Sequence, residues 1–250
     1  MNEELLTVEE VSKILRTTPN TIYRWLRAGK LPGVKLGKEW RIRKEILASK
    51  LNETNTTSIR GQRFWDKIGP HRGHVLAVTR DTNDLFDLEA EFFKKGLSRG
   101  FRLFKGCWCQ KPDDVRRELS IRGLPIEELE ARNILTIIDL TDYYNRSGKN
   151  GPVQIWSEEA RKTLELGYKT MWGSASPNPL SFGGHFHNLI EFESSLDNAL
   201  RKLPVVGICT YFFDDFTGDN FMRLIDLMNV HLSVIFYNNG SVIYLKNEPA

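Results

Sequence analysis

LTVEEVSKILRTTPNTIYRWLRAGKLPGVKLGKEWRIRKEILASKL, residues 6–51, reads as two short helices split by a tight turn, then a basic hairpin, then a third short helix. Thr7 opens the first helix with Glu10 three residues on, the spacing in which hydroxyl and carboxylate each satisfy the other residue's backbone amide. Val8, Val11, Ile14 and Leu15 then fall on one face. Thr18 stands as N-cap of the second helix, and Pro19 takes its first position, where a missing N–H costs little. Ile22, Trp25 and Leu26 make the buried stripe, which turns Asn20, Thr21, Tyr23, Arg24 and Arg27 outward, and Gly29 stops the helix. Amide, hydroxyl, phenol and guanidinium groups pair with base edges and phosphates, and a helix of this width fits the major groove. Residues 34–36 and 39–42 read as two strands about Gly37-Lys38, with Lys35, Lys38, Arg41 and Arg43 placed to meet phosphates as a wing. The candidate DNA-facing set is thus Thr18, Asn20, Thr21, Tyr23, Arg24, Arg27, Lys35, Lys38, Arg41 and Arg43.

The charge distribution agrees. Of the 250 residues, 1–51 hold eleven Lys/Arg against six Asp/Glu, so the formal excess of +3 over the whole chain is local to this stretch and the remainder is mildly acidic. A basic module joined to an acidic one is expected to meet a polyanion with its first part only. The absence of a long apolar run or of a basic-then-apolar leader points to the cytoplasm. Three cysteines do not make a disulfide framework, which fits a reducing compartment.

The phrase TIYRWLRAGKLP followed by GKEWRI resembles the excisionase and MerR-like winged helix-turn-helix family over residues 5–51. The resemblance implies DNA contact by Thr21, Tyr23, Arg24 and Arg27 on the recognition helix and by Lys38 and Arg41 at the wing. One such module covers a half-site, so pairing of two chains is expected. NETNTTS at 52–58 is polar and aperiodic and reads as a linker, while Phe64, Trp65 and Ile68 could form a short helix packed on either domain or on a second chain.

From Gly73 onward strands alternate with helices: HVLAVTR, FRLFKGCWC, LTIIDL, KTMWGSA and VVGICTYFF are strands separated by helical stretches, and a hairpin about Asn239-Gly240 closes the chain. Continuous apolar strands between helices predict a mostly parallel sheet covered on both faces, an α/β fold. His74, GLSRG at 96–100, LTIIDLTDYY at 135–144, the spacing of Ala160 to Gly167, residues 191–196, GICTY at 207–211 and His231 occur in an order that resembles the sensory domain named for methanogens, methylotrophs and the dichloromethane-responsive regulator, MEDS. The resemblance implies a RecA-like core without its nucleotide chemistry. The loop TRDTNDLFD is acidic and lacks glycine and a Lys-Ser/Thr pair, so a phosphate cradle is missing.

Cys107-Trp108-Cys109 lies at the end of one predicted strand and Cys209 on another; if those strands are close, thiols and His74 could meet, a donor set that suits zinc, iron or copper. The spacing lacks the second pair of a closed site, and buried cysteines acting as small hydrophobes are the preferred account, so no metal or cofactor is assigned. His185 and His187, two apart, do not share a helical face. Trp108, Trp156, Trp172, Phe182, Phe186, Tyr211, Phe212 and Phe213 supply rings near the carboxyl ends of strands, where open α/β sheets hold ligands. Asp81, Asp84, Asp139, Asp142, Asp214 and Asp215 follow strands, and helix capping explains Asp81, Asp84 and Asp142 without catalysis. The candidate effector residues are His74, Cys107, Trp108, Cys109, Trp172, Cys209 and Tyr211.

Together these readings give a DNA-binding domain at 1–52, a linker at 53–70 and a sensory domain at 71–250: a non-enzymatic, homodimeric regulator of double-stranded DNA answering a small effector. Two other classes remain open, a divergent nucleotide-binding switch and an architectural DNA-bending factor without an effector.

Overall fold

The computed structural model describes residues 5–14, 18–27, 31–37, 39–44, 64–66, 73–108, 110–216 and 221–246, the side chains of Thr21 and Trp25 excepted. The chain divides into two compact units, Met1–Ile59 and Arg60–Ala250. The proposed stop at Gly29, the loop residue Lys38, the third helix beyond Lys44, the linker at 52–58, Ile68 and Cys109 lie outside the described residues.

In the first unit β1 (Leu5–Thr7) leads into α1 (Val8–Ile14), and α2 spans Pro19–Arg27. Strands β2 (Val34–Leu36) and β3 (Glu39–Arg43) pair antiparallel around Gly37, whose φ of 63° is the left-handed turn that a residue without Cβ adopts at no cost. A strand not expected from the sequence, β1, adds to the other edge of β3 with Leu6 opposite Ile42. Leu6, Val8, Val11, Ile22, Leu26, Leu31 and Ile42 form its core, with Tyr23 and Trp40 packed at the margin.

The capping box is formed: Glu10 N donates to Thr7 Oγ1 at 3.1 Å while Thr7 N donates to Glu10 Oε2 at 2.8 Å. Thr7→Ala removes one acceptor and is expected to destabilise this unit by about 1 kcal/mol, read as a lower midpoint in thermal denaturation. An unchanged midpoint would mean that water caps the helix equally well.

The second unit carries β4 (Gly73–Thr79), β5 (Arg102–Cys107), β6 (Leu135–Asp139), β7 (Met171–Ala175), β8 (Val205–Phe212), β9 (Ser233–Asn238) and β10 (Ser241–Lys246). They form one sheet in the order β10-β9-β4-β8-β7-β5-β6, parallel throughout except for the terminal β9–β10 hairpin. The mixed α/β class with a mostly parallel sheet is therefore as the sequence requires. Asn239 and Gly240 both have positive φ, 48° and 79°, the primed turn whose twist matches that of the strands.

The helices are α3 (Thr82–Ser98), α4 (Pro112–Ile121), α5 (Ile126–Ala131), α6 (Thr141–Ser147), α7 (Asn150–Glu165), α8 (Phe186–Leu200) and α9 (Phe221–Asn229). Helices α3, α4 and α5 cover one face of the sheet, and α7, α8 and α9 the other, giving two separate apolar layers. Two departures from the sequence reading have local causes. Helix α6 forms from the polar run after LTIID because Asp139 Oδ1 accepts from Thr141 N at 2.9 Å, so Asp139 and not Asp142 tends that helix start. Asp84 sits inside α3, whose N-cap is Asp81, and instead accepts from Asn239 N at 2.9 Å, tying the terminal hairpin to the helix. Of the packings expected for Phe64 and Trp65, the one on the second unit is found: both are buried there, where Trp65 meets Phe92 and Trp172 and Phe64 meets Tyr244, burial of large rings drawing the segment in.

Candidate nucleic-acid interface and a buried polar cluster

On α2 the apolar residues Ile22 and Leu26 recur at i, i+4 and are buried, so Asn20, Arg24 and Arg27, at i, i+4 and i+7 from Asn20, stand exposed in a row. Tyr23 lies half-buried beside them, its ring against the core margin, and with Asn20, Arg24 and Arg27 it lines a shallow open groove. Among the described residues no carboxylate stands within ion-pair distance of Arg24, Arg27 or Lys35. Their charges face solvent, ready for an anion. Lys35 and Arg43 are exposed on the hairpin. Arg41 is different: it is half-buried, and its Nη2 lies 2.5 Å from Glu39 Oε2, so a phosphate would have to compete for it. Thr18 is exposed at the helix start, and its carbonyl accepts from Ile22 N.

The second unit holds a cluster of ionisable side chains that no single stretch of sequence displays. His74, the second residue of β4, is buried and points between α8 and the sheet. Its Nε2 lies 2.8 Å from Glu193 Oε2 and its Nδ1 3.2 Å from Asp197 Oδ1, the two acids being one turn apart on α8. Arg201, one turn further, donates from Nε to Asp197 Oδ2 at 2.5 Å. Tyr211 from β8 donates its hydroxyl to Glu193 Oε1. His231, between α9 and β9, sets its ring 4.1 Å from that of His74 at a tilt of 51°, with Nδ1 bonded to Leu227 O at 2.6 Å and Nε2 3.6 Å from Glu193 Oε2. The Cys209 thiol completes the group.

Burial alone would lower the basicity of His74, but the hydrogen bonds to Asp197 and Glu193 outweigh it and raise the imidazole to about 9. His231 goes the other way, to about 4, because burial and then the neighbouring His74 charge both oppose a second proton. Burial disfavours the ionised forms of Glu193 and Asp197, yet the His74 hydrogen bonds hold both carboxyls below their ordinary values. Burial, then the Glu193 charge, keeps Cys209 and Tyr211 protonated. One imidazolium between two carboxylates, held by a phenol from the sheet side and by an arginine at the solvent edge, is thus a pre-organised ionic site between α8 and the sheet.

A profile of the methanogen/methylotroph, DcmR sensory domain, MEDS, matches residues 73–232, well over half of the chain, and includes every member of this cluster. The chain belongs to the MEDS family. A helix-turn-helix domain profile matches residues 5–53, the unit with the exposed arginine row, which marks that unit as DNA-binding. A comparison with curated proteins gives no match. Among the described residues no helix is long and apolar enough to cross a membrane.

The MEDS domain distributes the effector residues expected from sequence over two sides of the sheet. Strands β4 and β8 are neighbours, with Leu76 opposite Cys209, so His74, Cys209 and Tyr211 do meet on the α8 side. Cys107 does not join them. It lies on β5, two strands away, and faces the α3 layer, as does Trp172, so the gathering of thiols at one end of the sheet fails for this residue. Strand parity is the cause: neighbouring positions alternate faces, and 107 and 209 fall on opposite ones. Trp108 packs on the α8 side with Phe182, Phe192 and Tyr144. Most of the expected aromatic crevice is therefore core, Phe213 excepted, which is exposed.

Glu193, Asp197, Arg201 and His231 were not among the effector residues expected from the sequence, although His231 and the stretch 191–196 that holds Glu193 carried the resemblance to MEDS. A signal existed: Glu193 and Asp197 lie one turn apart among Leu189, Phe192, Leu196 and Leu200, on the buried face of an amphipathic helix, where unpaired acids are not found. The cluster also starts at the amino ends of β4 and β9, the end opposite the one expected. The carboxyl ends carry a cleft between the start of α8 and α9, lined by Gly184, His185, Phe186, His187, Arg223 and Asp226, with the Arg223 guanidinium 4.8 Å above the Phe186 ring.

Proposed function

We propose that the protein is a cytoplasmic transcriptional regulator whose α2 reads operator DNA in the major groove. The β2–β3 hairpin serves as a wing on the phosphates, and the MEDS domain answers a small effector without catalysing a reaction. The observation that carries this reading is the exposed row Asn20, Arg24 and Arg27 on a helix fixed from behind by buried Ile22 and Leu26. Arginine and asparagine on one helix face offer bidentate contacts to guanine and adenine, and Lys35 and Arg43 beside them suit backbone phosphates. Two chains pair, so that two half-sites are read together. Occupation of the α8–α9 cleft by effector shifts operator affinity by the difference in its affinity for the two arrangements of the dimer. A role without nucleotide binding at this strand end is supported at the start of α3, where the Asp81 carboxylate caps the helix amide that a nucleotide phosphate would need.

The experiment is a fluorescence-anisotropy titration of the full chain with duplexes selected from genomic fragments. Sequence-selective binding is expected, with Arg24→Ala weakening it by about 1 to 3 kcal/mol and relaxing selectivity at one base pair. Lys35→Ala should weaken all duplexes alike and flatten the salt dependence. Equal affinity for all sequences, unchanged in Arg24→Ala, would exclude the reading.

A further inference from the structure

We infer that His74, Glu193, Cys209 and His231 form a binding site for a divalent transition-metal ion of the zinc class. The inference is independent of DNA binding. One ligand atom from each of the four residues lies within 4.8 Å of the other three, and all four residues are buried. Ligands on a tetrahedral Zn²⁺ stand about 3.3 to 3.8 Å apart, given metal–ligand bonds of roughly 2.0 to 2.3 Å. The widest pair would close by up to about 1 to 1.5 Å, while His74 Nε2 and Glu193 Oε2, now 2.8 Å apart, would part as the proton between them leaves; side-chain rotation supplies movements of this size.

The surrounding bonds distinguish this group from an ordinary buried ion network. His231 donates from Nδ1 to the Leu227 carbonyl, which fixes the tautomer and leaves Nε2 as the lone-pair nitrogen directed at Glu193. The Asp197 carboxylate engages His74 Nδ1 and is itself held by Arg201, leaving Nε2 for the centre. Tyr211 occupies Glu193 Oε1, leaving Oε2. Each nitrogen and oxygen donor thus has its second atom tied by an outer partner while the first converges on a common point, the arrangement that orients metal ligands. The fourth donor, a thiol, adds the softness that selects zinc, cobalt or iron over magnesium and calcium. Binding expels the thiol proton of Cys209 and the proton shared by His74 and Glu193, so that two anionic and two neutral ligands surround the dication. A closed four-ligand set is the pattern of a structural centre, loaded as the domain folds.

The full chain is expressed in medium supplemented with zinc or with cobalt, and its metal content and visible spectrum are measured. The expected result is equimolar metal and, with cobalt, a thiolate-to-cobalt charge-transfer band together with the intense ligand-field absorption of tetrahedral geometry. Cys209→Ala should lose the charge-transfer band, whereas a Cys107→Ala/Cys109→Ala double variant should keep it. Asp197→Asn should weaken zinc about 10- to 100-fold in competition with a chelator. Folded wild-type protein without metal, or a band that survives in Cys209→Ala, overturns the assignment. If Cys209→Ala does not fold, the double variant decides alone, since loss of its band places the thiolate elsewhere.

Discussion

Lys105→Met is expected to destabilise the second unit by about 3 to 5 kcal/mol, because it removes one half of a fully buried ion pair. Lys105 on β5 and Glu89 on α3 are both fully buried, with Nζ 2.6 Å from Glu89 Oε1. Nζ also lies 2.9 Å from Ser176 Oγ, and the hydroxyls of Ser174 and Ser176 donate to the same carboxylate oxygen. Methionine fills the volume of the lysine stem but leaves the Glu89 charge, among the described residues, with the hydroxyls of Ser174 and Ser176. The double variant Lys105→Met/Glu89→Leu removes both charges and should recover most of the loss, since a buried pair replaced by apolar groups of similar size is often neutral. Urea denaturation of the four proteins of the cycle gives the coupling energy. A single variant within about 1 kcal/mol of the parent would show that the interior around Glu89 is wet or that the carboxylate takes up a proton at little cost.

Trp156→Ala should cost a similar amount, about 3 to 5 kcal/mol, through the cavity that it leaves. Trp156 is fully buried on α7, edge-on to Phe104 at 4.7 Å, and its ring lies directly on Gly173 of β7, where a β-carbon would overlap the indole. Gly173→Ala in the parent should therefore be overpacked by about 1 to 3 kcal/mol. In the Trp156→Ala background the same methyl enters open space, so its cost should vanish or reverse. Additive effects of the two substitutions would mean that ring and glycine do not share the contact. The pair shows why a small residue stands in the centre of a strand: the helix can approach the sheet closely only where the strand presents no side chain.

The first unit was legible because its information is local. Capping spacing at Thr7 and Glu10, Pro19 at a helix start, a period of four between Ile22 and Leu26, and Gly37 at a turn each act within a few residues, and each appears in the structure. The outward face of α2 followed from the inward one without knowledge of any contact. The same holds for the continuous apolar strands, which demanded a sheet covered on both sides.

Chain order could not supply the meeting of β4 from the start of the second unit with β8 from near its end, nor the insertion of β7 between β8 and β5. Cys107 and Cys209 look alike in sequence, both apolar-flanked thiols on strands, yet one faces α3 and the other α8, because facing depends on the register of each strand with distant neighbours. The ionic cluster arises in the same way: α8 lies across β4 and β8 with Glu193 and Asp197 inward, and the chain returns after α9 to set His231 against His74. Local periodicity told the sequence which residues would be buried and which would face solvent. Only the packing of segments more than a hundred residues apart decided which buried polar groups would share one site, since that depends on strand order and helix placement, which no short stretch encodes.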